Sequence, residues 1–313
     1  MNPQVVSVGR ISVDLYAQEA HQGFESQQSF SKSVGGSPTN VAVAAAQLGQ
    51  SVALITKVGD DDFGDYVLGR LRDWGVDTAF IQKVPDSQTP LAFAALTPPE
   101  TPTVIFYRGD AAPDTQLTQH DVPREVIEEA DILWISQSSL AQGSTPEACL
   151  YWMGLRKKDQ HTILDLDYRP SLWESPEQAR SMAQKAISLS SVVVGNEEEC
   201  EVALGISEPH AAADALLEAG VRLAIIKLGA DGALLATSTE RVQVAPRPVD
   251  VVCGLGAGDA FGGALCHGLL EGLELAHIGE LANAAGALVA TQLTCADAMP
   301  TREQLHAAVE TRS

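Results

Sequence analysis

At 313 residues the chain can bury a substantial core, as one large α/β domain or two smaller ones. Its 20 Lys and Arg stand against 41 Asp and Glu, a formal charge of -21 that disfavours nucleic acid and anionic membrane as partners. An anionic small molecule would need a local basic pocket, so arginines inside motifs are informative. Cys149, Cys200, Cys253, Cys266 and Cys295 lack C-x-x-C pairing, which argues against a disulfide framework or a zinc site and reads as buried, reduced thiols. The sequence runs from Met1 straight into a strand without a charged and apolar leader, and no apolar run reaches membrane-spanning length. A cytoplasmic protein with no membrane partner is expected.

In chain order, Val5 to Val8 is a short apolar strand ending at Gly9, and residues 11–15 alternate as a half-exposed strand does, with Asp14 near its end. On the residues alone Asp14 is a solvated strand-end carboxylate. Polar composition follows, and then Gly35-Gly36-Ser37-Pro38-Thr39-Asn40 opens an alanine-rich helix. Ser37 is its expected N-cap, Pro38 suits the first turn, and Gly49 stops it after Leu48. Taken locally, Gly35-Gly36 is a turn and Asn40 a helix-surface residue. Residues 51–58 form a buried strand, and Asp60-Asp61-Asp62 supplies helix-start charge to a helix running through Trp74 rather than a metal site. Two more strands, 90–97 and 103–107, are joined by Pro98-Pro99-Glu100-Thr101-Pro102. Arg108 ends the second of them, a place where arginine is usually a solvated edge residue.

After Pro113, strands at 131–135, 161–166, 191–194 and 221–227 alternate with helical stretches, the pattern of βαβ units and a parallel sheet covered on both faces. Ligands bind such sheets beyond the carboxyl ends of the strands. Asp165-Leu166-Asp167-Tyr168-Arg169-Pro170, Asn196-Glu197-Glu198-Glu199 and Lys227-Leu228-Gly229-Ala230-Asp231-Gly232 all fall there. Each has a bland local account, since Asn196 can cap a helix carrying glutamates in its first turn and 227–232 can be a hairpin turn.

Gly254-Leu255-Gly256-Ala257-Gly258-Asp259-Ala260-Phe261 is the stretch with the most chemistry. Its glycines free backbone N–H groups to converge on an anion, and Phe261, Leu265 and Leu269 keep helical spacing after it. Asp259 falls in the first turn, where a carboxylate beside phosphate is costly unless it has a task such as accepting a hydroxyl proton. Capping the helix is the local alternative. The spacing is not the G-x-G-x-x-G of dinucleotide folds, and no G-x-x-x-x-G-K-[ST] occurs. A last long helix carries Ile278, Leu281, Ala282, Ala285, Leu288 and Val289 on one face, with Asn283 off that stripe.

The order N-x-x-E, K-x-G-x-x-G, G-A-G-D resembles the ribokinase-like (PfkB) carbohydrate kinases, and the resemblance spans essentially the whole chain. It implies an α/β, ribokinase-like fold: one domain over 1–313 with a mostly parallel sheet covered by helices on both faces, and a small β-sheet lid from about 11–34 and 90–108. It implies ATP and Mg²⁺ as cofactors. By the resemblance Asp259 is the catalytic base, and Gly256, Ala257 and Gly258 form the anion hole for the transferring phosphoryl group. Asp14, Gly35, Gly36 and Asn40 contact the sugar, Asn196, Lys227, Gly229, Gly232 and Asn283 the nucleotide, and Glu199 acts on Mg²⁺ through water.

Further features are similar to the sugar-acid kinases within the family: Arg10-Ile11-Ser12-Val13-Asp14-Leu15-Tyr16, Phe106-Tyr107-Arg108, Ala112-Pro113-Asp114, residues 165–170, Gly195 to Cys200 and Cys295 to Pro300. The positions matching their carboxylate-binding arginines are Arg108 and Arg169, whose planar forks suit a carboxylate. A small-molecule sugar acid and ATP are the implied partners, with a homodimer through the lid. The alternative substrates are another sugar acid such as 2-keto-3-deoxygluconate and, after it, a neutral sugar such as fructose, and a non-catalytic sugar-binding regulator is the alternative class. Where many relatives have Asp-Thr-Thr before G-A-G-D, part of a monovalent-cation site, this chain has Cys253-Gly254-Leu255. Potassium activation is therefore left open.

Overall fold

A computed structural model describes residues 2–109 and 111–310. The strands in chain order are β1 (Val5–Val8), β2 (Ser12–Ala17), β3 (Phe30–Gly35), β4 (Val52–Gly59), β5 (Val76–Asp77), β6 (Ile81–Val84), β7 (Leu91–Ala95) and β8 (Thr103–Tyr107), followed by β9 (Ile132–Ser136), β10 (His161–Asp165), β11 (Val192–Asn196), β12 (Leu223–Lys227), β13 (Ala233–Ala236) and β14 (Arg241–Val244). They form two sheets.

The large sheet runs β14-β13-β12-β11-β10-β9-β1-β4-β5, with β6 beside β4. It is parallel from β12 to β5 and turns antiparallel only at the β12-β13-β14 edge. Runs such as Ile132-Leu133-Trp134-Ile135 are buried throughout because helices cover both faces, so apolar residues are needed on each side. One apolar core lies under the helices Ser37–Gln47, Ala257–Leu270 and Leu275–Ala290, the other under Thr145–Gly154, Pro176–Ile187 and Pro209–Glu218.

The small sheet has the order β3-β2-β7-β8. Strand pairing gives it two distinct faces. Ser12, Asp14, Ala92, Val104 and Phe106 line a cavity on one, while Phe30, Phe93, Ile105 and Tyr107 share the other. Only Gly9, Arg10 and Ile11 separate β1 from β2, so Arg10 sits at the junction of the two sheets.

Two details depart from the sequence reading. The first helix is capped by Gly36 at φ 98°, with Ser37 already inside it, because the chain must turn away from β3 in a conformation that favours glycine. The antiparallel strands β13 and β14 extend the edge beyond β12, two strands to which the sequence reading gave no bounds. Among the described residues no helix is long and apolar enough to cross a membrane.

Candidate active site

A cavity of about 370 Å³ opens between the small sheet and the carboxyl edge of the large one. Asp14 reaches it from β2, Asn40 from the helix Ser37–Gln47, Arg169 from the loop after β10, and Gly256 and Asp259 from the glycine turn. Elements far apart in sequence thus meet at one space.

The glycine turn presents a bare helix start. Gly256, at φ 82°, precedes the helix Ala257–Leu270, and no side chain caps its first amides. These N–H groups are free to bind an anion, with the helix dipole in support. A Cβ on Gly256 would stand 2.6 Å from Cys295 Sγ, so the turn has room only for glycine. Asp259 is the third residue of this helix, and its Oδ2 accepts a hydrogen bond from Asn40 Nδ2 at 2.8 Å. Burial pushes its pKa above the ordinary carboxylate range, offset in part by the Asn40 and Ser37 side chains. A basic carboxylate held at an anion-binding helix start can accept a proton from a bound hydroxyl.

Asp14 is fixed by Ser12 Oγ at 2.6 Å and Tyr16 Oη at 3.2 Å. Burial raises its pKa, with the Ser12 hydroxyl opposing. A Cβ on Gly35 would stand 2.0 Å from the Asp14 carboxyl carbon, so the glycine gives Asp14 its place. Gly35 and Gly36 therefore shape the cavity, and Gly36 also lines it.

The residues expected at the nucleotide lie outside this cavity, beyond the glycine turn. Asn196 caps the helix Glu197–Leu204 in a reciprocal box: its side chain accepts from Glu199 N at 2.8 Å, and Glu199 Oε2 accepts from Asn196 N at 2.7 Å. Lys227, at the end of β12, sits 3.4 Å from Asp165 Oδ1 and 3.6 Å from Glu199 Oε2. Its Nζ is also 3.6 Å from where a Cβ on Gly258 would be, so this cation stands directly behind the anion-binding turn. Burial opposes the ammonium, yet Asp165 and Glu199 outweigh it and raise the Lys227 pKa. Burial raises Asp165, with Lys227 opposing. Gly229 (φ 55°) and Gly232 (φ 95°) make the tight β12–β13 turn. Asn283 donates from Nδ2 to Ala245 O at 3.1 Å, bracing the segment after β14.

Among the described residues no three His, Cys, Asp or Glu side chains are placed to hold a metal ion. Asp165 and Glu199 instead flank Lys227, which leaves room for an ion only if it is carried on a ligand's phosphates.

The arginines differ from expectation. Arg169 lines the cavity and forms an ion pair with Asp167, its Nε 2.8 Å from Oδ1. Burial works against the Asp167 carboxylate, but Arg169 and Arg10 beside it hold its pKa below the ordinary range. Arg108, expected to point at the same space, instead donates to Asp114 Oδ1 at 2.7 Å and borders a neighbouring cavity with Gln142 and Leu172. Asp114 is fixed in turn by Ile11 N at 3.2 Å, and this buried carboxylate draws the guanidinium aside. Arg10, to which the sequence reading gave no role, lines the main cavity. Its place just past β1, at the carboxyl edge of a parallel sheet, is the signal that could have found it.

Comparison with known proteins gives the family and the fold. The model of the pfkB family carbohydrate kinases matches residues 2–302. The chain is 32% identical over 315 residues to 5-dehydro-2-deoxygluconokinase 1 of Bacillus cereus, covering 98% of this chain and 95% of that protein. Among solved structures, an E. coli protein named as a putative ribokinase II, in complex with ATP and Mg²⁺, superposes with a TM-score of 0.90 at 26% identity, covering 99% of each chain. A fructokinase of Vibrio cholerae bound to fructose, ADP and calcium superposes with a TM-score of 0.86 at 26% identity, covering 98% of this chain and 99% of that one.

Proposed function

The chain belongs to the pfkB family of carbohydrate kinases, and from that premise we propose that it transfers the γ-phosphoryl group of ATP to the C6 hydroxyl of 5-dehydro-2-deoxy-D-gluconate, a step of inositol catabolism. The observation that carries the reading is that Asp259, at the amide-rich start of its helix, faces the same cavity as Asp14 and two arginines. Proton acceptor, anion hole, hydroxyl ligand and cationic groups are thereby brought to one space.

In the proposed reaction Asp14 and Asn40 orient the sugar hydroxyls. The C6 hydroxyl gives its proton to Asp259 as its oxygen bonds to the γ-phosphorus, and the bond from that phosphorus to the bridging oxygen of ADP breaks. The amides of Gly256, Ala257 and Gly258 take the negative charge of the transferring group, with Lys227 behind them. Asn196, Gly229, Gly232 and Asn283 shape the nucleotide side. Glu199 would attract Mg²⁺ through water, and the ion, when bound, would neutralise charge on the nucleotide phosphates. The small sheet serves as the lid, formed by about 11–34 and 90–108 of a single domain over 1–313. A reducing, cytoplasmic setting fits five free, buried cysteines.

A coupled ADP-release assay with wild-type protein across sugar acids, neutral hexoses and ribose tests this reading. Highest kcat/KM is expected on 5-dehydro-2-deoxy-D-gluconate, above 2-keto-3-deoxygluconate. Preference for fructose would overturn the sugar-acid reading.

For Glu199→Gln, the magnesium concentration giving half-maximal rate should rise more than the sugar KM, because the amide attracts hydrated metal less. An unchanged magnesium titration would reduce Glu199 to a capping residue.

The proposed homodimer pairs two small sheets through their outer faces. Phe30, Phe93 and Tyr107 form an edge-to-face row there, with ring centroids 5.5 Å apart, and Tyr107 and Ile105 are exposed. Light scattering should give twice the chain mass for wild type and the chain mass for Tyr107→Glu/Ile105→Glu. A monomeric wild type would contradict the pairing.

A further inference from the structure

We infer that Arg10 is the receptor for the substrate's carboxylate and so sets the preference for a sugar acid over a neutral sugar. The inference rests on the sugar-acid reading and deepens it.

Arg10 lines the cavity, is only 6% exposed, and its Nε and Nη1 are buried without a hydrogen-bond partner. Leaving donors of a buried cation unsatisfied is costly, and a folded chain tolerates it where a ligand completes the set. No neighbouring group meets the need. Asp167 lies 4.0 Å from Nη1, beyond hydrogen-bond reach, and is drawn instead to Arg169 Nε and the Ser138 hydroxyl.

The guanidinium carbon lies 5.0 Å from the centroid of the Phe106 ring, on the cavity face of the small sheet. Stacking of this kind holds a guanidinium in place while leaving its in-plane donors available. Arg108 also keeps a buried Nε without a partner, but its Nη2 is held by Asp114 and it borders the neighbouring cavity instead, and Arg169 is partly committed to Asp167. With Asp14 and Asp259 lining the same cavity, a phosphate dianion would meet more repulsion than a carboxylate monoanion.

The test compares wild type, Arg10→Met, Arg10→Lys and Arg108→Met on two substrates: 5-dehydro-2-deoxy-D-gluconate and its analogue with a primary alcohol in place of the carboxylate. Binding of each without ATP is measured alongside by calorimetry, and thermal unfolding checks that each variant is folded. Arg10→Met should raise KM and Kd for the acid about ten- to a hundredfold, the range for losing charge-assisted hydrogen bonds, with a much smaller change for the alcohol. Arg10→Lys keeps the charge but not the fork, so it should retain part of the preference. If Arg10→Met fails to fold, Arg10→Lys still decides, because an acid preference equal to wild type would overturn the assignment. Loss of acid preference in Arg108→Met but not in Arg10→Met would also overturn it, as would tighter binding of a phosphorylated sugar than of the acid. A wild type that prefers neutral sugars refutes the sugar-acid reading itself. A wild type that prefers acids, with that preference untouched in Arg10→Met, refutes only the role of Arg10.

Discussion

Replacement of Asp259 by Asn should lower turnover by roughly 10²- to 10⁴-fold while leaving sugar binding largely intact, the range for loss of a general base. The amide keeps the bulk and can still accept the hydrogen bond from Asn40 Nδ2, so the helix start is undisturbed. What it removes is the proton acceptor. Burial raises the Asp259 pKa, which makes the carboxylate a better base and sets the acid limb of the pH profile. Since the charged form is the active one, kcat/KM should fall as pH drops through that raised pKa, at a pH above the ordinary carboxylate range.

Stability moves the opposite way. A carboxyl whose folded pKa is raised binds its proton more tightly in the native state, so its ionisation destabilises the fold as pH rises from the unfolded toward the folded pKa. Asp259→Asn should therefore unfold at no lower temperature than wild type at neutral pH, with any advantage shrinking as pH falls. Near-normal turnover in a folded Asp259→Asn protein would remove Asp259 from the chemistry.

Lys227→Met should be the second severe variant, losing roughly 10²- to 10³-fold in kcat, as when one donor of an oxyanion site is deleted. The ammonium sits behind Gly258 and between Asp165 and Glu199. Its loss takes a positive charge from the site of the transferring phosphoryl group and leaves two carboxylates facing each other unscreened. Steady-state kinetics should give a larger effect on kcat and on the ATP KM than on the sugar KM. Thermal stability should fall as well, because the buried acids lose their counterion. Should the variant keep turnover within about threefold of wild type, Lys227 would be only a structural counterion.

The parts of this site that were legible in the sequence are those whose physics is local. The glycine turn and Asp259 lie within one helix start, and the Asn196–Glu199 box spans one turn, so spacing alone described their backbone. The alternation after Pro113 was likewise enough for a sheet covered on both faces. The order of its strands was not legible, because pairing of β1 with both β4 and β9 is a non-local fact. Arg10 and Arg108 illustrate the same limit at the side-chain level. Both are arginines at strand ends, and what separates them is the company each keeps. Asp114, itself anchored by Ile11 N, holds Arg108 Nη2 at the neighbouring cavity, while Asp167 stays 4.0 Å from Arg10, whose Nε and Nη1 have no hydrogen-bond partner in the main cavity wall. Nothing within a few residues of either arginine reveals that difference.

The central claim, transfer to the C6 hydroxyl of a sugar acid, is most directly tested by phosphorus NMR of the product made by wild-type protein from ATP, Mg²⁺ and 5-dehydro-2-deoxy-D-gluconate. A new phosphomonoester signal split into a triplet by the two C6 protons is the predicted result. A doublet, which reports transfer to a secondary hydroxyl, or the absence of any new ester while a neutral hexose is phosphorylated under the same conditions, would contradict the account.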